Sequence, residues 1–249
     1  MLLSIVTINY NNLAGLKRTL ESIPQVCTDY WEWIVVDGAS TDGSVEFLKG
    51  YSGKLDFFIS EPDKGLYDAM NKGLSQSKGE FVWFLNSGDI LYEESTFKII
   101  IDLIKKGDFD FIYGDAQYIN TENVPIGLMS KMKPQKFPQR LSLKSFRYGM
   151  SVCHQSMIVR KDFCSPYSLD YRYASDIDWS LNVLKKNPKT YNINGVIAGF
   201  EEGGTSTQSM RLAMRERFNI FVNHFGWIKT LWYHLWIVIR RIGLKFKSN

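Results

Sequence analysis

VVDGASTDGS (Val35–Ser44) and FVWFLNSGD (Phe81–Asp89) each pass from a short apolar run straight into an acidic, glycine-containing turn. Apolar runs of this length bounded by turn residues read as buried strands, which puts Asp37 and Asp89 at strand carboxyl ends. In an open parallel sheet that edge is where ligands bind. A third acidic stretch, EPDKGLYDAMNKG (Glu61–Gly73), lies between them. Three such clusters on one edge point to a polar, metal-assisted site for something phosphorylated.

Outward from these turns, strand and helix signals alternate. Leu2–Ile8 reads as a strand, followed by a helix carrying Leu13, Leu16, Leu20 and Ile23 on one face. Trp33–Val36, Leu55–Ser60, Phe81–Leu85 and Asp110–Tyr113 read as further strands, the last ending in Gly114 and Asp115. Helices are expected around Val45 and Leu48, from about Tyr67 to Ser77, and up to about Lys106. This order predicts an α/β fold, a Rossmann-like, mostly parallel sheet with helices on both faces. Ala116–Gly149 is less regular and reads as a hairpin, with its turn at Asn120–Pro125, and loops lining an acceptor cleft. Ser156–Val159 and Val196–Phe200 read as strands and Asp176–Lys186 as a helix. Residues 1–206 are expected to form one continuous domain, with 1–115 and 116–206 as its two functional halves, and 207–249 a helical tail.

The chain has 249 residues, 45% of them hydrophobic and 14% aromatic, enough to bury a large core and too apolar for disorder. Cys27, Cys153 and Cys164 form no CxxC pair, which suggests reduced thiols in a cytoplasmic protein and argues against a zinc site. The first residues lack the pattern of a secretory signal. The net charge of +4 divides unevenly: from Arg211 to Asn249 eight basic residues face one acid, Glu216, so the tail carries +7 and the remainder −3. A basic appendage on a mildly acidic body does not support nucleic-acid binding.

The candidate site residues each have a plain structural reading beside the functional one. Asp37, one place after an apolar strand, suits a carboxylate accepting from a nucleobase imide or a ribose hydroxyl. Asp42 and Ser44 read as turn and cap residues. Asp89 suits a hard cation, since Mg²⁺ or Mn²⁺ often takes one or two protein carboxylates and completes its shell with water and phosphates. Lys64 or Lys72 suits a diphosphate as a point charge, and Asp68 a ribose or a lysine. Asp176 is the candidate base for a sugar hydroxyl; helix capping is its plain alternative, a job Ser175 is also placed to do. His154 reads as structural, or as a residue lining the acceptor cleft.

Taken together, SIVTINYNN, VVDGASTDGS, DKGLYDAMNKG and FLNSGD resemble family 2 glycosyltransferases of GT-A fold, in that family's order and spacing, from Ser4 to about Ser206. The likeness is closest to bacterial enzymes of capsule, O-antigen and exopolysaccharide assembly. The resemblance implies that Tyr10 and Asp37 hold the nucleobase, usually uracil, that Asp89 binds Mg²⁺ or Mn²⁺, and that Asp176 is the catalytic base. It also implies that the Gly203-Gly204 loop closes over the donor. The donor is then a nucleotide sugar, expected to be a UDP-sugar, and the acceptor a glycan or a polyprenyl-diphosphate-linked glycan. Three departures stand out. Gly88 replaces an acid commonly found beside Asp89, Met70 replaces a common arginine, and Ser175 replaces the glutamate of a Glu-Asp pair.

In the tail, Met210, Met214, Phe218, Phe221, Val222 and Phe225 share one helical stripe, continued by Leu231, Trp232, Leu235, Trp236, Ile239 and Ile242. The uncharged run Thr230–Ile239 falls far short of the roughly 20 apolar residues of a membrane span. Tryptophans and aliphatics among basic residues suit a helix lying in the bilayer interface, which predicts peripheral contact through 227–249 at the inner face of the plasma membrane. Packing on the body or in a dimer is the alternative. A sugar nucleotidyltransferase should carry a Gly-rich phosphate loop after strand one, where this chain has Asn9-Tyr10-Asn11-Asn12. A dinucleotide-dependent oxidoreductase would need G-x-G-x-x-G there. A non-catalytic membrane-bound scaffold of a polysaccharide assembly complex is the rival of a different class, supported by the thinned metal motif.

Overall fold

The computed structural model describes residues 1–24, 26, 28–51, 54–133, 135–201 and 209–245, with side chains beyond residue 237 described for Ile239 alone. In chain order the elements are β1 (Leu3–Asn9), α1 (Leu13–Ser22), β2 (Trp31–Asp37), α2 (Ser44–Tyr51), β3 (Phe57–Ser60), α3 (Leu66–Gln76), β4 (Phe81–Phe84), β5 (Ile90–Leu91) and α4 (Glu94–Lys106). They continue with β6 (Phe111–Ile119), β7 (Pro125–Leu128), α5 (Met129–Met132), β8 (Met157–Arg160), α6 (Ser175–Lys185), β9 (Thr190–Glu201), α7 (Met210–Phe225) and α8 (Trp227–Lys245). The strands form one sheet in the order β3-β2-β1-β4-β8-β6-β9-β5, with β7 paired to β6. β3, β2, β1, β4, β6 and β9 run one way; β8, β5 and β7 run against them.

Alternation along the buried strands builds a core on each face. Ile5, Trp33, Val35, Phe81 and Trp83 pack with Leu16 and Leu20 of α1, Leu48 of α2 and Phe97, Ile100 and Ile104 of α4. Val6, Ile8, Ile34, Val36, Val82 and Phe84 pack with Met70 and Leu74 of α3, Ile177, Trp179 and Leu181 of α6, and Ile220 and Phe221 of α7. Strands covered on both faces need to be apolar throughout, which is why β1, β2 and β4 read so clearly in sequence. α1 starts where the Asn12 side chain accepts from Gly15 N–H at 3.0 Å. α4 stops where Gly107 takes a left-handed φ of 70°.

Two expectations need correction. The strand read as ending at Gly114 and Asp115 continues to Ile119, because β9 follows it through register shifts around Asp115; Gly114 has no side chain to collide with the Gly195 carbonyl, 2.6 Å from where a Cβ would stand. The tail stripe is also different in phase. Phe221 is buried as expected and Phe225 packs on the core, but Met210 and Met214 are exposed, while Ala213 and Ile220 are buried in their stead. The phase of α7 is set by polar ties to the body: the Glu216 carboxylate accepts from Arg172 N–H at 2.9 Å and Tyr173 N–H at 2.8 Å, and His224 Nε2 lies 2.7 Å from Asp178 Oδ1. The first tail helix is therefore part of the globular body.

α8 lies against that body by one side. Its Trp236 ring stacks on Tyr148 at 3.9 Å, Tyr233 packs edge-on to Tyr148 and Phe225, and Thr230 is fully buried. The other side presents Trp227, Ile228, Leu231, Trp232, Leu235 and Ile239 to solvent. Among the described residues no helix is long and apolar enough to cross a membrane.

Candidate active site at the carboxyl edge of the sheet

β1, β2 and β3 end level with one another, Asn9 beside Asp37 and Asp37 beside Ser60. Asp37 ties the three ends together. Its Oδ1 accepts from Asn9 Nδ2 (2.7 Å) and Ser40 Oγ (2.6 Å), and its Oδ2 from Ser40 N–H (2.8 Å) and Ser60 Oγ (2.7 Å). The carboxylate is wholly buried and its lone pairs are engaged, so it forms the floor of this edge and fixes the turn above it. Gly38, the next residue, is buried as well. A Cβ there would stand 2.5 Å from Asp63 Oδ2 and 3.1 Å from Tyr10 Cδ2, so bare backbone lies between a carboxylate and an aromatic ring. Tyr10 is 67% exposed. Asp42 keeps the plain role expected of it, accepting from Leu13 N–H, Ser44 N–H and Ser44 Oγ.

The segment after β1 joins this turn to the next. Asn11 N–H donates to Ser40 Oγ at 2.8 Å, and Asn12 Nδ2 donates to the Ser87 carbonyl at 3.2 Å. Thr19 of α1 holds the Asn86–Asp89 turn, donating to the Asp89 carbonyl at 2.7 Å and accepting from Gly88 N–H at 3.0 Å. The Asp89 carboxylate is buried beside Gln155, its Oδ1 accepting from Glu201 N–H at 3.3 Å. Burial pushes its carboxyl up to about 7, and the nearby Glu201 charge adds to the rise. Arg18 of α1 pairs with Glu201 Oε2 at the end of β9.

Asp176 stands in the first turn of α6, half-buried. Neither it nor Ser175 caps the helix through its side chain; Ser175 Oγ donates to the Ser168 carbonyl at 2.8 Å instead. Tyr67, at the start of α3, donates its hydroxyl to Asp176 Oδ1 at 3.1 Å. Burial, reinforced by the Asp176 charge, holds that phenol well above its usual range, so it remains a donor. The buried Cys153 thiol donates to Gln155 Oε1 at 3.0 Å and is pushed up to about 12 by burial. Lys133 pulls it back, while Asp89 and Asp176 both push it further. Burial lowers Lys133, against the pull of Cys153, Asp176 and Asp115. The Asn9–Asn12 segment connects the Asp89 turn to the Asp37 turn, and Tyr67 holds Asp176 to the start of α3. Cys153 and Cys164 are free thiols.

The other expected residues are placed as follows. His154 is buried in a cage of Phe84, Tyr167 and Trp179, with Nε2 2.8 Å from the Tyr167 hydroxyl. Burial brings it down to about 4, so it is neutral at pH 7 and lies beneath the surface rather than in an open cleft. Lys72 binds Glu61 Oε1 at 2.7 Å and the Pro62 carbonyl at 3.0 Å, and Asp68 accepts from Lys64 N–H at 3.0 Å; both shape the loop before α3. Gly203 and Gly204 lie outside the described residues. The sequence alone assigned no role to Tyr67, Gln155 or Glu201, whose roles come from distant pairings. Asn71 of α3 also has a distant partner: its side chain grips the Tyr167 backbone at both its N–H (2.7 Å) and its carbonyl (2.9 Å).

Among the described residues no group of three or more His, Cys, Asp or Glu side chains forms a metal cage. The site nevertheless suits a hard divalent ion that takes most of its ligands from water and phosphate. Asp89 offers a buried carboxylate oxygen, Glu201 lies beside it, and Asn86 Oδ1 and Ser87 Oγ of the same turn are buried without a partner.

A GT-A sheet with an acidic site along this edge defines a glycosyltransferase. The chain belongs to glycosyl transferase family 2, whose family model matches residues 4–165. An uncharacterized glycosyltransferase of Mycobacterium tuberculosis is 31% identical over 211 residues, covering 82% of this chain and 76% of that one. The Escherichia coli UDP-Glc:alpha-D-GlcNAc-diphosphoundecaprenol beta-1,3-glucosyltransferase WfgD is 26% identical over 200 residues, covering 80% and 74%. Among solved structures, Staphylococcus aureus TarS 1–349 in complex with UDP-GlcNAc superposes with a TM-score of 0.71 at 18% identity, covering 98% of this chain and 73% of that one. The mannosyltransferase PcManGT of Pyrobaculum calidifontis, in complex with GDP-Man and Mn²⁺, gives a TM-score of 0.62 at 15% identity, covering 90% and 63%.

Proposed function

We propose that this glycosyltransferase moves a sugar from a nucleoside diphosphate, expected to be UDP, to a hydroxyl of a glycan or lipid-linked acceptor in bacterial surface polysaccharide synthesis, with inversion at the anomeric carbon. The observation that carries this reading is the set of hydrogen bonds that ties the Asp37 turn to the Asp89 turn through Asn9–Asn12, with Asp176 bonded to Tyr67 at the start of α3. Residues 1–115 then supply the nucleotide-sugar half and 116–206 the acceptor half.

The exposed Tyr10 ring offers a face for a base, packed over the buried Gly38 with Asp63 at its side and Asp37 as the rigid support underneath. The resemblance assigned Asp37 a direct bond to the base; its saturated oxygens favour a supporting role in this arrangement. Asp176 takes the proton of the acceptor hydroxyl as that oxygen attacks, and Tyr67 orients it. Asp89 and its turn face the diphosphate, and a divalent cation bound there would stabilise the charge growing on the leaving oxygen. Mg²⁺ or Mn²⁺ fits, and the Mn²⁺ complex of a structural neighbour supports it. Lys72 and Asp68 hold the loop that frames the donor side. His154 and its aromatic cage fix the wall behind Asp176.

The lipid-linked acceptor named for WfgD supports an acceptor of that kind here. The outward row on α8 supports a peripheral contact with the inner face of the plasma membrane, bringing such an acceptor to the site. A basic hollow of about 280 Å³ lined by Lys136, Lys144, Arg147, Tyr148 and Trp236 adjoins that helix and adds charge of the sign an anionic surface attracts. Turnover of a panel of UDP-sugars with polyprenyl-diphosphate-linked glycans tests the assignment. Loss of turnover in Asp176→Asn and Asp89→Ala is the expected result, and wild-type rates in both would refute it.

A further inference from the structure

The resemblance to family 2 glycosyltransferases implies an acid where this chain has Gly88, yet the space beside Gly88 is already taken. A Cβ built on Gly88 would stand 2.2 Å from Glu201 Oε2 and 3.2 Å from Glu201 Cδ. The Glu201 carboxylate therefore fills the volume that a side chain at residue 88 would enter. It arrives from the last residue of β9, across the sheet, and its own N–H donates to Asp89 Oδ1 at 3.3 Å. The relation between the two acids is thus fixed through main chain as well as side chain. Gly88 has a φ of +103°, a conformation that L residues rarely adopt, so an acid at that position would be strained as well as blocked.

The surroundings favour an oxygen-rich ligand set. Asn86 Oδ1 and Ser87 Oγ in the same turn are buried without partners among the described residues. Arg18 engages Oε2 of Glu201 and holds it in place beside Asp89. Two neighbouring carboxylates repel unless a cation lies close, and Arg18 is a cation on the outer side of the pair.

We propose that Glu201 is the second carboxylate of the divalent-cation site, delivered from β9 in place of an acid at residue 88. Asp89 and Glu201 supply the protein's oxygens, and water and the donor diphosphate supply the remainder. Arg18 is a positioning residue that anchors Glu201 and is not itself a ligand. The inference rests on the reading of Asp89 as a cation ligand.

Mn²⁺ titrated into the full-length protein, alone and with UDP present, tests it by electron paramagnetic resonance or calorimetry. Glu201→Gln keeps the volume and still accepts from Arg18, so it should fold, which a thermal melt checks. It should weaken Mn²⁺ binding by about tenfold or more, the scale on which even outer partners of a metal are felt. Glu201→Asp should fall between, and Asp89→Asn should lose binding. Arg18→Met removes the anchor and leaves both carboxylates, so it should lower the melting temperature and weaken Mn²⁺ binding less than Glu201→Gln does. Unchanged affinity in Glu201→Gln, with binding lost in Asp89→Asn, would overturn the role of Glu201 and leave that of Asp89. Unchanged affinity in both, or no Mn²⁺ binding by the wild type, would overturn the two together.

Discussion

The Tyr67 hydroxyl donates to Asp176 Oδ1 at 3.1 Å, joining the first turn of α3 to the first turn of α6 across more than a hundred residues of chain. The Tyr67 ring stacks on Tyr167 at 5.7 Å, and Tyr167 in turn stacks on Trp179 of α6 at 5.2 Å. Asp176, the proposed base, is therefore oriented by a packed aromatic column rather than by its own helix.

Tyr67→Phe keeps the ring and removes the donor. The expected outcome is a fall in kcat of about tenfold, part of the 10²–10⁴ that a positioned base contributes, with KM for the nucleotide sugar and the melting temperature little changed. Steady-state kinetics on the two proteins check it. A change in KM alone would place Tyr67 in donor binding instead.

His154 makes stability depend on pH. Its value falls from 6.5 to about 4 because burial disfavours the imidazolium. Between those limits the unfolded chain takes up a proton that the native protein refuses. The stability present above 6.5 is then lost as pH falls through this window, by an amount of order 3 kcal/mol. Thermal melts at pH 7.5 and 4.5 should show a smaller drop for His154→Phe than for the wild type. Equal drops would mean that His154 is solvated.

Asn71→Ala strips two partners from the Tyr167 backbone at once. Each lost bond to a buried group costs about 1 kcal/mol or more, so a destabilisation of about 2–3 kcal/mol is expected. Chemical denaturation measures it. Because Tyr167 supports both Tyr67 and His154, turnover should fall with it.

Sequence pattern carried the first half of the fold well, for a physical reason. β1, β2 and β4 are covered on both faces, and such strands announce themselves as unbroken apolar runs ending in turn residues. The acids at those ends were legible for the same reason. What pattern did not carry was pairing between distant segments. Nothing local distinguishes Glu201 from any other strand-end glutamate, or Tyr67 from a core aromatic. Asp37 looked available because a carboxylate after a strand usually is, and only the register of Asn9, Asp37 and Ser60 reveals that its oxygens are taken. The apolar stripe of α7 was misphased because hydrophobic spacing does not know where Glu216 and His224 will find partners.

The outward row of α8 gives a prediction independent of chemistry. Leu231→Glu combined with Leu235→Glu alters exposed positions only, so folding and turnover of a soluble acceptor should persist. Binding to anionic vesicles in a flotation assay should be lost, as it should on deletion of Trp227 to Asn249. A wild-type protein that does not float with such vesicles would make α8 a structural brace.

The most direct test of the account is single-turnover transfer by Asp176→Asn, measured beside its affinity for UDP. Wild-type UDP affinity with transfer slowed by 10²-fold or more is the outcome expected of a lost base at an intact donor site. Transfer at the wild-type rate would contradict the central claim that the edge shared by Asp37, Asp89 and Asp176 is where the sugar changes hands.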